Sequence, residues 1–339
     1  MQIATLGIDI GKTWFHVVAL DARGRLQLQR KLNRRGIIQF VSTCQRCSIG
    51  MEACAGSQHL ARRFIDQGHD VKLIAPRFVK AYLKSNKNDF NDAAAIAEAV
   101  QRSTMRFVAI RSIEQLDMQA IHRVREQHIS ERTAVINQIR AFLVEYGITI
   151  PVGRSNLLKR LPEILEDGEN GVSSVMRTLL SQLQARLRRI QEEVDELTAQ
   201  IEVVASSDPQ CRDLRTIPGI GPLVATALVA AVGNASQLRR SRDMAAWIGL
   251  VPRQYSTGGR SRLLGISKRG NRYLRRLLIH GARSVIQNVD RRPHRFGMWL
   301  TQLEQRAHAN VVAVGLANKI ARIAWAVLRR SEPYRTVAA

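Results

Sequence analysis

Four carboxylates occupy positions in this sequence where acidic side chains are unusual. Asp9 lies inside the apolar run LGIDI, and Glu52 ends a second apolar run within CSIGMEACAG. A lone carboxylate inside an apolar strand is costly unless it lies at a rim or binds a cation. Asp89 and Asp92 open an alanine-rich helical stretch three residues apart, which places both on one helix face. These oxygen ligands predict a site for Mg²⁺ or Mn²⁺, ions that serve phosphodiester chemistry.

Two alternatives stay open for these carboxylates. Asp89 at the N-cap and Asp92 three residues later would also fit a capped helix start. The segment GIDIGKT around Asp9 also resembles the first phosphate loop of sugar kinases and actin-like ATPases. That class carries a second Asp-Gly phosphate loop and a glycine-rich adenosine loop further along the chain, and the sequence contains neither.

Two neighbouring hydroxyls, Ser256 and Thr257, precede a pair of glycines in a basic segment that we expect to be a flexible loop. Arg253 and Arg260 flank them. A hydroxyl in this setting could attack a phosphodiester, with the arginines stabilising the charge that develops in the transition state. A serine that only contacts phosphate or forms a turn is the alternative on spacing alone. No nearby Asp–His pair suggests a hydrolase triad.

The charge of the chain predicts a polyanionic partner. Lys and Arg number 52 against 28 Asp and Glu, a net charge of +24, while 45% of the residues are apolar. A chain that can bury cores and carries this excess charge is expected to bind nucleic acid, and a membrane surface is the weaker alternative. The N-terminus lacks the features of a secretory signal, and the sequence predicts no apolar run of membrane-spanning length, so we expect a cytoplasmic, nucleoid-associated bacterial protein.

The segment LRTIPGIGPLVATALVAAVG, residues 214–233, matches a helix-hairpin-helix, a motif that grips the nucleic-acid backbone without reading sequence. Its glycines let the backbone approach a phosphate, and the next helix presents free N–H groups. A plain helical turn is the alternative. The expected nucleic-acid contacts are Gly219, Gly221, Arg253, Arg260, Arg262, Lys268, Arg269, Arg272, Arg275 and Arg276.

The elements that must position these groups divide the chain into three predicted regions. Residues 1–110 alternate β-rich runs with amphipathic stretches, which predicts an α/β mixed sheet flanked by helices. The first three runs are joined by short turns and are expected to be antiparallel. The next two follow helical segments and are expected to be parallel, so Asp9 and Glu52 would emerge at one sheet edge.

The remaining chain is predicted to be mainly helical. Residues 111–206 carry a long helix, a Pro- and Gly-containing interruption at 151–171, and a heptad-like apolar stripe over 174–204. We expect an antiparallel helical hairpin, or coiled coil, that covers the sheet or pairs with a second subunit, and an internal bundle is the alternative. Residues 207–339 form the basic region with the helix-hairpin-helix and the hydroxyl segment.

Five motifs taken together resemble one family. LGIDIGKTWFHVVALD, IGMEACAG, KNDFNDAAAIAE, TIPGIGP and GLVPRQYSTGGRSRLLGISKRGNRYLRRLL resemble the DEDD-type insertion-sequence transposases, bridge-RNA-guided serine recombinases with a RuvC-like (RNase H-like) domain. The resemblance spans nearly the whole chain. It implies that Asp9, Glu52, Asp89 and Asp92 form the acidic tetrad and that Ser256 is the nucleophile, which forms a phosphoserine link to DNA.

The resemblance also implies partners. A structured noncoding guide RNA would pair with both donor and target DNA, so that base pairing selects the sequence. We expect a homodimer that assembles as a tetramer in the synaptic complex. The alternatives are a RuvC-like, metal-dependent endonuclease that uses water, and a nucleic-acid-binding protein without enzymatic activity.

Overall fold

The computed structural model describes residues 3–83, 88–288 and 296–335, and these divide into two units, 1–112 and 113–339. The first unit contains a six-stranded sheet in the spatial order β3-β2-β1-β4-β5-β6. Its strands are β1 (Thr5–Ile10), β2 (Trp14–Leu20), β3 (Leu26–Asn33), β4 (Ser48–Glu52), β5 (Asp70–Ile74) and β6 (Phe107–Val108). Its helices are α1 (Arg34–Ser42), α2 (Ser57–Asp66), α3 (Pro76–Val79) and α4 (Asp89–Val100).

The strand directions confirm the predicted mixed sheet. β1, β2 and β3 run antiparallel in sequence, whereas β1 pairs with β4, and β4 with β5, in parallel. The two-residue β6, antiparallel to β5, was not predicted, because two residues are too short to show an alternating pattern.

Helices cover both faces of this sheet. Leu6 and Ile8 of β1 are fully buried in a core shared with α1 and α2, to which Ile37 and Phe64 contribute. On the opposite face, Ala93 and Ala97 of α4 pack against β2. The alternation of side chains along a strand therefore assigns odd-numbered residues of β1 to the α4 face.

The second unit is mainly helical. Its helices are α5 (Ile113–Val144), α6 (Arg154–Glu166), α7 (Ser174–Ser207), α8 (Pro209–Arg215), α9 (Pro222–Val232), α10 (Ser241–Ile248), α11 (Arg272–Asn288), α12 (Gly297–Arg306) and α13 (Ala309–Arg330). Two strands, β7 (Pro252–Thr257) and β8 (Arg260–Ile266), form a separate antiparallel hairpin. The predicted boundary at 206/207 falls inside this unit, and the division into three regions stays a prediction.

Three expectations for this unit need correction. The interruption at 151–171 contains α6, which has Pro162 inside it and buries Leu157 and Leu161. The apolar stripe of α7 packs against α5 and α6 of the same chain, so it is no longer an argument for a second subunit, and the homodimer and tetramer stay predictions. The basic hydroxyl segment is a β-hairpin and not a loop.

Helix α13 is long and apolar enough to cross a membrane by length and composition, which the expectation from sequence missed. Leu316, Ala317, Ile320 and Ala324 on this helix are fully buried in the core of the second unit. α13 is therefore a core helix of this unit.

Candidate active site

The approach of α4 to the sheet depends on two glycines. Gly7 and Gly50 are direct register partners on β1 and β4. A Cβ on Gly7 would overlap the carbonyl oxygen of Ala93, and one on Gly50 would come within 2.9 Å of the Val100 side chain. Because neither glycine carries a side chain, the helix lies directly on the strands.

This packing brings the four predicted carboxylates together. Asp9 lies two residues beyond Gly7, and Glu52 two beyond Gly50, so both belong to the α4 face of the sheet. Asp89 and Asp92 occupy the first turn of α4. Burial, and then the charges of Asp92, Asp89 and Glu52, raise the pKa of Asp9 to about 6. The carboxylates are therefore close enough to repel one another.

The start of α4 corrects the capping alternative. Asn88 is the N-cap, and its side-chain oxygen accepts a hydrogen bond from the Phe90 N–H at 2.9 Å. Asp89 is the first helical residue, and the Asp92 N–H donates to the Asn88 carbonyl at 2.9 Å. Asp89 is therefore not the N-cap, and the capping interpretation is wrong for it.

His16 is a member of this cluster that sequence analysis did not identify. It lies directly opposite Asp9 in the β1–β2 ladder, and its Nδ1 lies 3.4 Å from Oδ2 of Asp89. Ligand atoms of Asp9, His16 and Asp89 all lie within 4.8 Å of one another. The signal was present in the sequence, because a hairpin centred on Lys12-Thr13 places residue 16 opposite residue 9.

Ser256 lies in the second unit, on the β7–β8 hairpin. Gly258 and Gly259 form its turn with positive φ angles of 52° and 75°, a conformation that favours glycine at both positions. All six residues of β7 and the first six of β8 are exposed. The hairpin thus presents both faces to solvent.

The register of the hairpin separates the two hydroxyls. Ser256 is paired with Ser261, and its Oγ accepts a hydrogen bond from Nε2 of Gln254 at 2.8 Å. Thr257 is paired with Arg260, and the neighbouring pair joins Tyr255 to Arg262. Paired residues share a face of the ladder. Arg260 and Arg262 therefore lie on the Thr257 face, opposite to the face of Ser256.

The predicted nucleic-acid contacts fall into two groups. The exposed ones are Arg253, Arg260, Arg262, Lys268, Arg269, Arg272 and Arg276. Arg275 instead donates from Nη1 to the carbonyl oxygen of Ile248 at 2.9 Å. Arg276 forms an ion pair with Glu126. Arg275 therefore contributes to the internal structure of the unit, whereas Arg276 is exposed and has its charge paired within the unit.

The two glycines between α8 and α9 also differ. Gly219 has a φ of +88°, and a Cβ there would come within 2.9 Å of the Gly281 carbonyl oxygen on α11. Gly219 is therefore required by packing. A Cβ on Gly221, the N-cap of α9, would meet none of the described atoms within 4 Å beyond its chain neighbours. Only Gly221 leaves room for a phosphate, and the helix-hairpin-helix stays a prediction.

Comparison with known proteins identifies the family. Residues 6–148 match a model of DEDD type described as a transposase, and residues 211–296 match the model described as the transposase IS116/IS110/IS902 family. The chain is 43% identical over 337 residues to the transposase for insertion sequence element IS1111A of Coxiella burnetii, covering 98% of this chain and 92% of that protein. It is 42% identical over 326 residues to the transposase for IS1328 of Yersinia enterocolitica, covering 96% and 97%.

A more distant relative carries a different name. The pilin gene-inverting protein of Moraxella bovis is 24% identical over 293 residues, covering 82% of this chain and 78% of that protein. The sheet with its clustered carboxylates lies inside the DEDD match, and the hairpin lies inside the other. This chain belongs to the IS110/IS116/IS902 family of insertion-sequence transposases, enzymes that process DNA.

Proposed function

We propose that this transposase cuts and rejoins DNA through a phosphoserine intermediate on Ser256, with a divalent cation at the acidic tetrad and a noncoding RNA as guide. The observation that carries the proposal is the convergence of four carboxylates on one face of an apolar sheet. Burial, and then repulsion from the other three carboxylates, raises the pKa of Asp9 to about 6. A fold that concentrates negative charge in this way leaves a site suited to a cation.

The donor set fits Mg²⁺ or Mn²⁺. Carboxylate oxygens are the ligands that these ions take in proteins. Asp9, Glu52, Asp89 and Asp92 would hold the ion, which when bound supplies neutralisation of charge on a scissile phosphate. The carboxylates come from two strand ends and one helix N-terminus, so the packing of α4 fixes their spacing.

In the cleavage step, Oγ of Ser256 attacks phosphorus and forms a new P–O bond. The Ser256 hydroxyl gives up its proton to the surrounding solvent as the bond from phosphorus to the leaving DNA oxygen breaks, and that oxygen takes the electron pair and a proton, so that the step is neutral in protons overall. The free energy of the broken ester is kept in the phosphoserine and is available for rejoining to a new strand. Gln254, whose side-chain N–H bonds to this Oγ, orients the hydroxyl.

Thr257 is a second candidate nucleophile, and the hairpin register favours it in one respect. Its hydroxyl shares a face with Arg260 and Arg262, which would stabilise the charge that develops during attack. Ser256 shares its face with Ser261. The family resemblance favours Ser256, so the two assignments need a direct test.

That test is a denaturing gel with labelled DNA, which reports a covalent protein–DNA adduct. Ser256→Ala is expected to abolish the adduct and to reduce recombination by at least about a thousandfold. Ser261→Ala, the matched control on the same face, is expected to keep both, and so is Thr257→Ala. Adduct loss with Thr257→Ala alone would transfer the nucleophile to Thr257.

The same gel separates transfer to serine from hydrolysis. Asp9→Asn and Asp92→Asn are expected to prevent adduct formation. If Ser256→Ala still cleaves DNA while Asp9→Asn does not, the enzyme uses water and the phosphoserine mechanism is wrong.

The net charge of +24 and the exposed arginines of the second unit support a polyanionic partner, and the family resemblance implies that one such partner is a guide RNA. The purified protein is expected to carry RNA that ribonuclease removes, with loss of recombination. RNA-free protein that recombines DNA at full rate would contradict the guide. Equal recombination with a random RNA would reduce the RNA to a counterion.

A further inference from the structure

We infer that His16 is a ligand of the divalent cation, through Nδ1, so that the site combines one imidazole nitrogen with carboxylate oxygens and prefers Mn²⁺ to Mg²⁺. This inference rests on the proposed metal site and adds a residue outside the acidic tetrad.

The position of the His16 ring is fixed from several sides. Its backbone is paired with Asp9 on β1 and with Lys31 on β3, so the residue lies in the interior of the sheet. The ring contacts the Phe90 ring edge-on, with 4.8 Å between centroids. The side chain is 10% exposed, whereas the side chain of Asp89 beside it is 59% exposed. A buried, oriented imidazole therefore points toward carboxylates that solvent can reach.

The spacing fits coordination better than a hydrogen bond. Nδ1 of His16 lies 3.4 Å from Oδ2 of Asp89, which is long for a hydrogen bond between nitrogen and oxygen. With metal–ligand distances of about 2.1 Å, adjacent ligands of an octahedral ion lie about 3.0 Å apart and opposite ligands about 4.2 Å. The ligand atoms of Asp9, His16 and Asp89 all fall within 4.8 Å of one another. Small side-chain shifts would therefore complete a coordination shell.

A second buried histidine in the same unit shows what a structural role looks like. Measured over the whole residue, His69 is 6% exposed and His16 is 8% exposed. In His69, Nδ1 accepts a hydrogen bond from the Cys47 N–H at 3.3 Å, and Nε2 lies 3.1 Å from the Val41 carbonyl oxygen. Backbone groups thus occupy both ring nitrogens of His69. Nδ1 of His16 faces a carboxylate cluster instead.

An imidazole ligand changes which ion the site selects. Mg²⁺ takes oxygen ligands and dehydrates reluctantly, whereas Mn²⁺, as a transition-metal ion, gains more affinity than Mg²⁺ from an added nitrogen ligand. His16 is therefore expected to raise the affinity for Mn²⁺ with little effect on Mg²⁺. Removal of one ligand or of its close support costs about 10- to 100-fold in metal affinity.

The experiment uses Mn²⁺ as the probe and the full-length protein without nucleic acid. Electron spin echo spectra of bound Mn²⁺ report directly bound nitrogen, and isotopic labelling of histidine assigns that signal to imidazole. Wild type and His69→Gln, the matched control, are expected to show histidine coupling, and His16→Gln to lose it. Competition titration is expected to show at least about tenfold weaker Mn²⁺ binding in His16→Gln and less than about threefold change for Mg²⁺.

Each of the other outcomes would overturn either the His16 ligand alone or the metal site as a whole. Mn²⁺ that binds wild type in an Asp9-dependent way without nitrogen coupling would exclude His16 as a ligand and leave the tetrad standing. Persistence of the coupling in His16→Gln would also overturn the inference. Failure of wild type to bind Mn²⁺ would overturn both the inference and the metal site of the proposed function. If His16→Gln misfolds, the wild-type spectrum and its loss in Asp9→Asn still decide the question.

Discussion

Gly7 of β1 lies beneath helix α4, whereas Gly265 of β8 is exposed to solvent. The two regions that carry the candidate chemistry, the sheet with its carboxylates and the β7–β8 hairpin, differ in the same way. A Cβ on Gly7 would overlap backbone atoms of Ala93 and come within 2.7 Å of the Ala97 side chain. A Cβ on Gly265 would meet none of the described atoms within 4 Å beyond its chain neighbours. The carboxylate site is therefore held by close packing on a sheet, and the hairpin is held by its own ladder and turn.

This difference separates two ways of preparing a reactive group. The carboxylates are brought together before any nucleic acid binds, at the cost of burial and repulsion, which raise the pKa of Asp9. An exposed two-stranded hairpin is marginally stable by itself in water, so contacts with a partner are needed to order it further. Tyr255 and Leu263 are each 65% exposed, and the exposed arginines around them suit a polyanion. The first region is preorganised, and we expect nucleic acid to order the second.

The largest effect that would test this contrast comes from paired glycine substitutions. Gly7→Ala is expected to lower the free energy of unfolding of the first unit by about 4 kcal/mol, because the added methyl group meets helix backbone that cannot move without displacing α4. Gly265→Ala is expected to change stability by less than about 0.5 kcal/mol. Chemical denaturation of both variants, together with Mn²⁺ binding, measures the difference. Equal stability of the two variants would remove the argument for packing at Gly7.

The sequence predicted the first unit well because its signals are local. Short turns predict the antiparallel directions of the first three strands, and the helical segments before the next two predict that these are parallel. The carboxylate inside LGIDI predicts the position of the site. His16 was missed because its role depends on a register between two strands. Gly7 was missed because its role depends on a helix more than 80 residues away along the chain.

The second unit was predicted less well for physical reasons. Pro162 and the neighbouring glycines suggested an interruption, but the burial of Leu157 and Leu161 stabilises α6 despite the proline. The β7–β8 hairpin carries arginine, serine and tyrosine on exposed faces, so it lacks the apolar alternation that marks a strand. The periodicity of α7 predicts that its apolar stripe is a packed face, but periodicity does not indicate which elements pack against it. In the structure these are α5 and α6.

The interior of the second unit contains a preorganised polar group of its own. His122 is 3% exposed, and its Nε2 lies 3.0 Å from Oγ1 of Thr226 while its Nδ1 lies 2.9 Å from the Tyr273 hydroxyl. The Thr226 hydroxyl donates to the Pro222 carbonyl at 2.8 Å. It therefore accepts from Nε2–H, and Nδ1 accepts from Tyr273. Burial, and then the charge of Arg125, lower the pKa of His122 to about 4.

This histidine predicts the next largest effect, a loss of stability in acid. Because the folded pKa lies below the usual value near 6.5, the unfolded chain takes up a proton first as the pH falls. Stability is therefore fully present above about pH 6.5 and is expected to fall by about 3 kcal/mol on acidification to about pH 4. Denaturation at several pH values measures it. His122→Gln should flatten this dependence, and the exposed His280→Gln should not; equal slopes in the two variants would contradict the assignment.

A smaller effect tests whether the preorganised site is costly to the free protein. Asp9→Asn removes a charge that is partly buried and repelled by its neighbours, so at pH 7 and without metal it is expected to raise the free energy of unfolding by about 1–2 kcal/mol, allowing for partial exposure of the group. Ser256→Ala on the exposed hairpin is expected to change it by less than about 0.5 kcal/mol. Thermal denaturation with and without Mn²⁺ measures both. Mn²⁺ is expected to stabilise Ser256→Ala and not Asp9→Asn. The reverse pattern would show that the carboxylate site is not the site where Mn²⁺ binds.

The smallest effect distinguishes an exposed arginine that is expected to contact nucleic acid from an exposed arginine that forms an ion pair within the unit. Arg262 is exposed on the hairpin, and Arg262→Gln is expected to weaken nucleic-acid binding by about 1 kcal/mol or less and to reduce the slope of log affinity against log salt by about 1. Arg276 pairs with Glu126, so Arg276→Gln is expected to leave that salt slope nearly unchanged and to lower stability instead. Binding titrations at several salt concentrations, with denaturation of each variant, separate the two effects. A change in salt slope for Arg276→Gln as large as that for Arg262→Gln would show that the ion pair opens to bind phosphate. The surface that contacts nucleic acid would then include α11 as well as the hairpin.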